Sequence, residues 1–319
     1  MEILNLSVTC MPNYKVGSVS TTKIEFDLIE RITGKKIINE SDSFYIDGVS
    51  TIDYIRPHRL IFIEKISAKE KEILKKAKYP KTLFIINEDL NEIPLFAKII
   101  TSNPRAIYSF IVAHLFDYYT KYWNGFIALN LAKKKYPDVT IMPGVNVHES
   151  ANIGAGSTIF PGVQIGPRCA IGKNVIIKSN SVIGEPGFGI FKNQNGYNNH
   201  LPHVGGVIIG DNVEIGALNT VCSGTIHPTV VEDYVKTDDH VHIAHNCHIH
   251  TGVQIAAHAE ISGSVIVHRD VWLSPNISVI NGITIGENAL VGIAANVTKK
   301  VEPNSVVAGN PAKILRTRF

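Results

Sequence analysis

From Ile141 onward an aliphatic side chain returns at every sixth position: Val147, Ile153, Ile159, Ile165, Ile171, Ile177 and Ile183. The count resumes at Ile209, Ile215 and Val221. It resumes again at Val231 and runs through Thr237, Ile243, Ile249, Ile255, Ile261, Val267, Leu273, Val279, Ile285, Val291 and Val297. A helix repeats every 3.6 residues and a strand every two, so neither produces this interval. A chain wound into triangular coils does, with three short strands and three corners in each 18-residue turn. The period fixes the direction of each side chain. Clock residues point inward, and the residue four later is small or aliphatic, as at Val145, Ala151, Ser157, Val163, Cys169, Val175 and Ser181. Glycine often follows the clock residue directly (Gly154, Gly166, Gly172, Gly184, Gly210, Gly216, Gly286, Gly292), where it suits corners with unusual dihedrals. No single coil can bury its own inner face, so the coils are expected to form one cooperative stack.

At 319 residues, with 45% hydrophobic and 18% charged side chains, the chain has the composition of a globular protein with room for two domains. The net charge of +3 is too small to argue for nucleic acid, and none is expected as a partner. No run approaches 18 apolar residues, so no membrane insertion is expected. The opening MEILNLSVTCMPNYK has no basic start followed by an apolar run, so no signal peptide is read and a cytoplasmic location is expected. Cys10, Cys169, Cys222 and Cys247 form no CxxC and read as free thiols in a reducing compartment.

Residues 1–116 read as a small α/β domain. Its expected strands are Ser43–Ile46, Leu60–Glu64, Thr82–Ile86 and Ala97–Thr101, and its expected helices are Thr22–Ile32, Ala68–Lys78 and Pro104–Phe116. Asn103 precedes Pro104 as an N-cap. Residues 117–138 form a connector whose aromatic residues (Tyr118, Tyr119, Tyr122, Trp123, Phe126) read as packing between domains, with Lys133–Lys135 as a solvated face. Residues 139–305 are the coil domain and 306–319 a short tail. The clock breaks twice, between Ile183 and Ile209 and between Val221 and Val231. The first break, loop 184–206, carries the tight-turn pair Asn195-Gly196 and reads as a projecting hairpin.

With these features the chain resembles the hexapeptide-repeat acyltransferases, which fold as a left-handed parallel β-helix. The expected fold is therefore mainly β, a left-handed β-helix preceded by a small α/β domain. The handedness comes from the resemblance, since the usual crossover rule favours the opposite hand. More narrowly, FYIDGVSTIDYIRPHRLIFI, NPRAIYSFIVAHLF, IGEPGFGIF, VIIGDNVEIGALNT, HIAHN and SVING are similar to the N-acyltransferases of lipid A synthesis, which act on UDP-3-O-acyl-glucosamine. Three features depart from that family. Ile283 stands where it has a second histidine, its helical C-terminal extension is absent, and its uracil-holding residues are not matched around Phe62–Ala68. The end, NVTKKVEPNSVVAGNPAKIL, is instead similar to coenzyme-A-dependent acetyltransferases. The resemblance implies transfer of an acetyl or other short acyl group from acyl-CoA to the amine of a nucleotide-linked amino sugar, for O-antigen or capsule synthesis. One alternative is the lipid A reaction itself, with acyl carrier protein as donor. A homotrimer is implied by the family's placement of sites between neighbouring helices.

Steps of 18 from His245 give Gly263, Asn281 and Lys299, which the clock stacks along one corner. At about 4.8 Å per coil the column spans roughly 14–15 Å, enough to lay a pantetheine arm from His245 to Lys299. His245 is the candidate general base, since the attack needs an unprotonated amine and a histidine near its ordinary pKa can take the ammonium proton at neutral pH. Gly263 is the candidate backbone donor to the oxyanion, the role the resemblance also implies. Asp238 and Asn246 are candidates to orient the imidazole, with Asp239 beside them. Asn281, Lys299 and Lys300 are candidates for the coenzyme A. The loop offers Phe188, Gly189, Asn195, Tyr197 and His203 for the sugar nucleotide, together with the first domain.

Eight of the 13 histidines lie between His227 and His268. The clock sets His242 and His248 on different faces, stacks His240 on His258 and stacks His250 on His268, so no histidine set is expected to converge on a metal within one chain. A second alternative, a zinc enzyme resembling the carbonic anhydrases of this fold, would use the HxxxxH spacing of His245 and His250 across a subunit interface.

Overall fold

The computed structural model describes residues 18–39, 43–76, 81–87, 93, 95, 97–120 and 122–318. Cys10 and the N-terminal segment read for a signal peptide lie outside them, as do the last two residues of the helix expected over Ala68–Lys78. The chain divides into two compact units, Met1–Tyr122 with Gly189–Val204, and Trp123–Phe188 with Gly205–Phe319.

The first unit is an α/β sheet. Strands Ile46–Val49, Arg59–Ile63, Thr82–Ile86 and Ala97–Ile100 run parallel, with Ser18–Ile24 and Ile38–Asn39 antiparallel at the two edges. Helices cover Phe26–Thr33, Ala68–Lys76 and Pro104–Leu115. The Asn103 side chain accepts from the Ala106 N–H at 3.1 Å and caps the last of these, as its sequence predicts. The first helix begins four residues later than expected because Ser18–Ile24, with its β-branched Thr21 and Thr22, pairs with Ile46–Val49. That pairing also accounts for the third-strand shift from Ser43–Ile46 to Ile46–Val49.

The second unit is the β-helix, with one parallel sheet on each of three faces and a left-handed wind. Thr158–Ile159 pairs with Ile176–Ile177, and His242–Ile243 with Glu260–Ile261, one turn of 18 residues apart. Every clock residue is buried, all but Thr237 within one continuous hydrophobic core from Ala132 to Val307. Each such Ile or Val contributes on the order of 1.5–3 kcal/mol. Inward serines are satisfied by the backbone. Ser157 donates to the Gly172 carbonyl at 3.0 Å and Ser181 to that of Gly216 at 2.7 Å. The connector supplies the N-terminal cap. Phe126–Ile127 pairs antiparallel with Val147–His148, helix Leu129–Lys135 buries Ala132 in the core, and Lys135 donates to the carbonyls of Glu149 and Ala151. At the other end Ser305–Ala308 extends one sheet and Lys313–Thr317 folds back against it.

The glycines after the clock residues do a different job from the one expected. The left-handed residue of each corner is the third after the clock, filled by Asn246, His258, Ser264, Asp270 or Asn276 as readily as by Gly252 or Gly282. Of the glycines that directly follow the clock, only Gly184 has positive φ. The others permit close stacking, since a Cβ on Gly154 would lie 2.5 Å from the Gly172 carbonyl oxygen, and one on Gly172 equally close to that of Gly210.

Candidate functional site

Both breaks in the clock fall at one edge of the β-helix. Cys169 pairs with Val207 across the first break, which loops out 20 residues beyond a normal turn, and Val207 pairs with Thr229 across the second, which loops out four. In the next coil that edge is His245-Asn246, between the strands His242–Ile243 and His248–Ile249. The coils after it carry Gly263-Ser264 and then Asn281-Gly282 at the same place, tied by Ser264 N–H to the His245 carbonyl and Gly282 N–H to that of Gly263, each at 2.9 Å.

His245 is half-buried between two glycines. A Cβ on Gly263 would come within 2.6–3.1 Å of Cε1, Nε2 and Nδ1 of the ring, and one on Gly187 within 2.7–3.0 Å of Cδ2, Cβ and Cγ. Gly187 lies at the start of the long insertion, and its role was missed in the sequence because the insertion hides its place in the column. The Gly263 N–H has no acceptor among the described residues. Asn246 braces the ring. Its Oδ1 accepts from the Thr225 N–H at 2.8 Å and from the Thr225 hydroxyl at 3.2 Å, which turns its Nδ2 to His245 Nδ1 at 3.2 Å. The Asn246 N–H in turn donates to the Thr229 hydroxyl at 2.9 Å. The short insertion therefore supplies both supports of Asn246.

Burial, and then the neighbouring His242, lower the His245 pKa below its ordinary value, so the ring is neutral at pH 7. His242 Nε2 lies 4.0 Å from the Cys222 sulfur and 3.9 Å from Glu260 Oε1. Burial raises the Glu185 carboxyl, and burial together with Glu260 and Glu185 pushes the Cys222 thiol up to about 12.

The remaining sequence candidates are dispersed. Asp238 lies at a different corner, its carboxylate accepting from the Asp239 N–H and its carbonyl from Asn219, while Asp239 accepts from the Ala217 N–H. Asn281 is exposed one coil beyond Gly263, and the pairing of Val279 with Val297 carries the exposed Lys299 over it. Lys300 pairs with Glu302 at 3.1 Å. Phe188 is 84% exposed, next to Gly187. Gly189, Asn195, Tyr197 and His203 belong to the first unit. There Ile190–Lys192 and Asn198–His200 form the expected hairpin, with Asn195 and the 70%-exposed Tyr197 at its turn. His203 is fully buried, its Nδ1 hydrogen-bonded to the Leu201 carbonyl at 2.7 Å and its ring against Gly189. The first unit also has a cavity of about 600 Å³ at the carboxyl end of Arg59–Ile63, lined by Ile52, Phe62, Ile63, Glu64, Lys65 and Glu70.

His240 stacks on His258 with ring centroids 4.7 Å apart, and His250 on His268 at 5.0 Å, as the clock requires. The count of histidines alone leaves out a carboxylate that joins two of them. Glu232, His248 and His250 bring one ligand atom each to within 4.8 Å of one another. Glu232 sits 18 residues before His250, so its place was open to the same count.

Residues 150–185 and 228–263 match the family of bacterial transferase hexapeptides (six repeats). The UDP-3-O-acylglucosamine N-acyltransferase of Methylorubrum populi is 39% identical over 145 residues, covering 46% of this chain and 41% of its own length. The protein of the same description from a Janthinobacterium species is 35% identical over 137 residues, 43% of this chain and 39% of its own length. The chain thus spans about two fifths of the length of these curated relatives. Among solved structures, the UDP-N-acetylglucosamine acyltransferase of Francisella novicida has a TM-score of 0.49 at 24% identity, covering 56% of this chain and 67% of that one.

Proposed function

We propose that this hexapeptide-repeat protein is an N-acyltransferase that moves an acyl group from a thioester to the amine of a UDP-linked amino sugar. The observation that carries this reading is the neutral imidazole of His245, seated between Gly187 and Gly263 at the edge where both insertions leave the β-helix. Amine acylation needs a group that removes a proton as nitrogen attacks, and a donor to the oxyanion. His245 supplies the first and the Gly263 N–H the second. For Nε2 to accept the proton, the ring carries its hydrogen on Nδ1, so the Asn246 amide and the Thr225 groups that donate to it must rearrange together from the geometry described above. The proton then passes from the imidazolium to the departing thiolate.

The names of the curated relatives favour UDP-3-O-acyl-glucosamine as the acceptor, over the short-chain reading expected first; an acyl-carrier-protein thioester is the donor that the resemblance implies for that reaction. The similarity of the tail around Asn310–Leu315 to coenzyme-A-dependent enzymes keeps acyl-CoA as a second reading, in which Asn281 and Lys299 bind the cofactor. In either reading the cavity beside Phe62 in the first unit is the proposed seat of the nucleotide, and the working assembly is a trimer. The described residues include no helix long and apolar enough to cross a membrane.

The test incubates the full chain with a UDP-3-O-acyl-glucosamine acceptor and either a hydroxyacyl carrier protein or acetyl-CoA, and identifies the product by mass. N-acylated product from either donor supports the reading and identifies the donor. No product from either, with UDP-, dTDP- or GDP-amino sugars, overturns it.

A further inference from the structure

A second cluster of titratable side chains gathers around the strand His248–Ile249, outside the proposed acyl-transfer site at His245. Val231 pairs with Ile249, which sets Glu232 beside His250 in the next coil. The Glu232 Oε1 lies 2.7 Å from His248 Nε2 and 3.2 Å from His250 Nδ1. We propose that Glu232, His248 and His250 form a binding site for a divalent cation of the zinc class, contributed by two successive coils of one chain.

Two observations support the assignment. The first is spacing: bonds of about 2.0–2.1 Å in a tetrahedral site set neighbouring ligand atoms roughly 3.3 Å apart, and here Oε1 lies 2.7 and 3.2 Å from the two ring nitrogens, with all three atoms within 4.8 Å of one another. The second is bracing. The other carboxylate oxygen of Glu232 accepts from the Thr251 N–H at 3.0 Å and from its hydroxyl at 2.9 Å, which aims Oε1 at the two rings. Outer contacts of this kind orient ligands in metal sites. The rings are held too, since His248 and His250 stack at 4.0 Å and His268 covers His250 from the next coil. His250 Nε2 is buried and has no hydrogen-bond partner among the described residues, which leaves Nδ1 as its engaged nitrogen.

To hold one ion, the two rings release the protons on Nε2 and Nδ1 and turn out of their 4.0 Å stack, so that their in-plane lone pairs meet beside Oε1. Two imidazoles and one carboxylate favour zinc, cobalt or nickel over magnesium or calcium. The ion ties adjacent coils together and leaves a fourth position for His268 or water.

The test titrates the metal-stripped full chain with Zn²⁺ by calorimetry and, in parallel, follows the visible absorption of added Co²⁺. The expected result is one ion per chain, a strong tetrahedral Co²⁺ band, and a higher melting temperature with zinc. Glu232→Gln and His250→Gln should each weaken binding by about 100-fold or more, since loss of outer contacts alone costs about 10–100-fold. His240→Ala, on the other stacked pair, should leave binding unchanged. No stoichiometric binding by the wild-type chain, a Co²⁺ spectrum lacking the tetrahedral band, or binding that survives in Glu232→Gln and His250→Gln would overturn the proposal.

Discussion

Replacing Gly263 by alanine separates the site from the scaffold. The new Cβ would stand 2.6 Å from His245 Cε1 and 2.8 Å from Nε2, against an ordinary contact of 3.4 Å or more. The ring must give way by nearly 1 Å, and Gly187 lies close behind it. The atoms displaced are the tip of a side chain, and Gly263 does not have positive φ, so the backbone accepts alanine. Stability should change by about 1 kcal/mol or less. A misplacement on the order of 1 Å costs about 10²-fold in rate, so kcat/KM for acyl transfer should fall about that far. Gly282→Ala, one coil on, is the complementary control. Nothing lies within 4 Å of its notional Cβ, but its φ is +72°. The left-handed strain should cost about 1–2 kcal/mol without moving His245. Steady-state kinetics and thermal melts on both variants read the two effects. Wild-type kcat/KM in Gly263→Ala would refute the reasoning.

Further outcomes follow from the same geometry. Because the His245 pKa is lowered, the acid limb of the kcat/KM profile should fall below the ordinary 6.5, with full rate at pH 7 and loss as the pH drops through the folded value. The same group lowers folding stability as pH falls below about 6.5, since the unfolded chain binds that proton more readily; a limb above 6.5 would contradict the burial argument. Asn246→Asp places a carboxylate beside Nδ1, which favours the imidazolium and should shift that limb to higher pH. Ile261→Ala empties a fully buried clock position and should destabilise the chain by about 2–5 kcal/mol in denaturant melts. Cys169, Cys222 and Cys247, whose burial pushes each thiol up to about 12, should resist alkylation at pH 8 until the chain unfolds, as peptide mapping by mass spectrometry would show.

The coil architecture was legible because burial acts at a strict interval: within each unbroken run from Ile141, every sixth residue is an inward side chain, and the structure buries each one. The column through His245 and Gly263 followed from the same count. Other features required contacts that an interval does not encode. Gly187 reaches His245 only once the insertion has left the helix, so counting by 18 does not find it. The brace from Thr225 depends on how the four extra residues fold. Asp238 lies close to His245 in sequence, but its place in the clock sets it at another corner, where its carboxylate accepts from the Asp239 N–H. The corner glycines misled because polar residues such as Asn246 and Asp270 tolerate the left-handed conformation, which leaves glycine for close stacking between coils. In the first unit, the edge strand Ser18–Ile24 is stabilised by its partner Ile46–Val49, a long-range pairing that a local pattern does not reveal.

The central claim is that the imidazole at this edge takes the proton during acyl transfer. His245→Ala, shown by circular dichroism to keep the β-helix, measures it most directly under single-turnover conditions with saturating thioester. Loss of about 10²–10⁴-fold in the acylation rate is the predicted result. An acylation rate equal to that of the unaltered protein would contradict it.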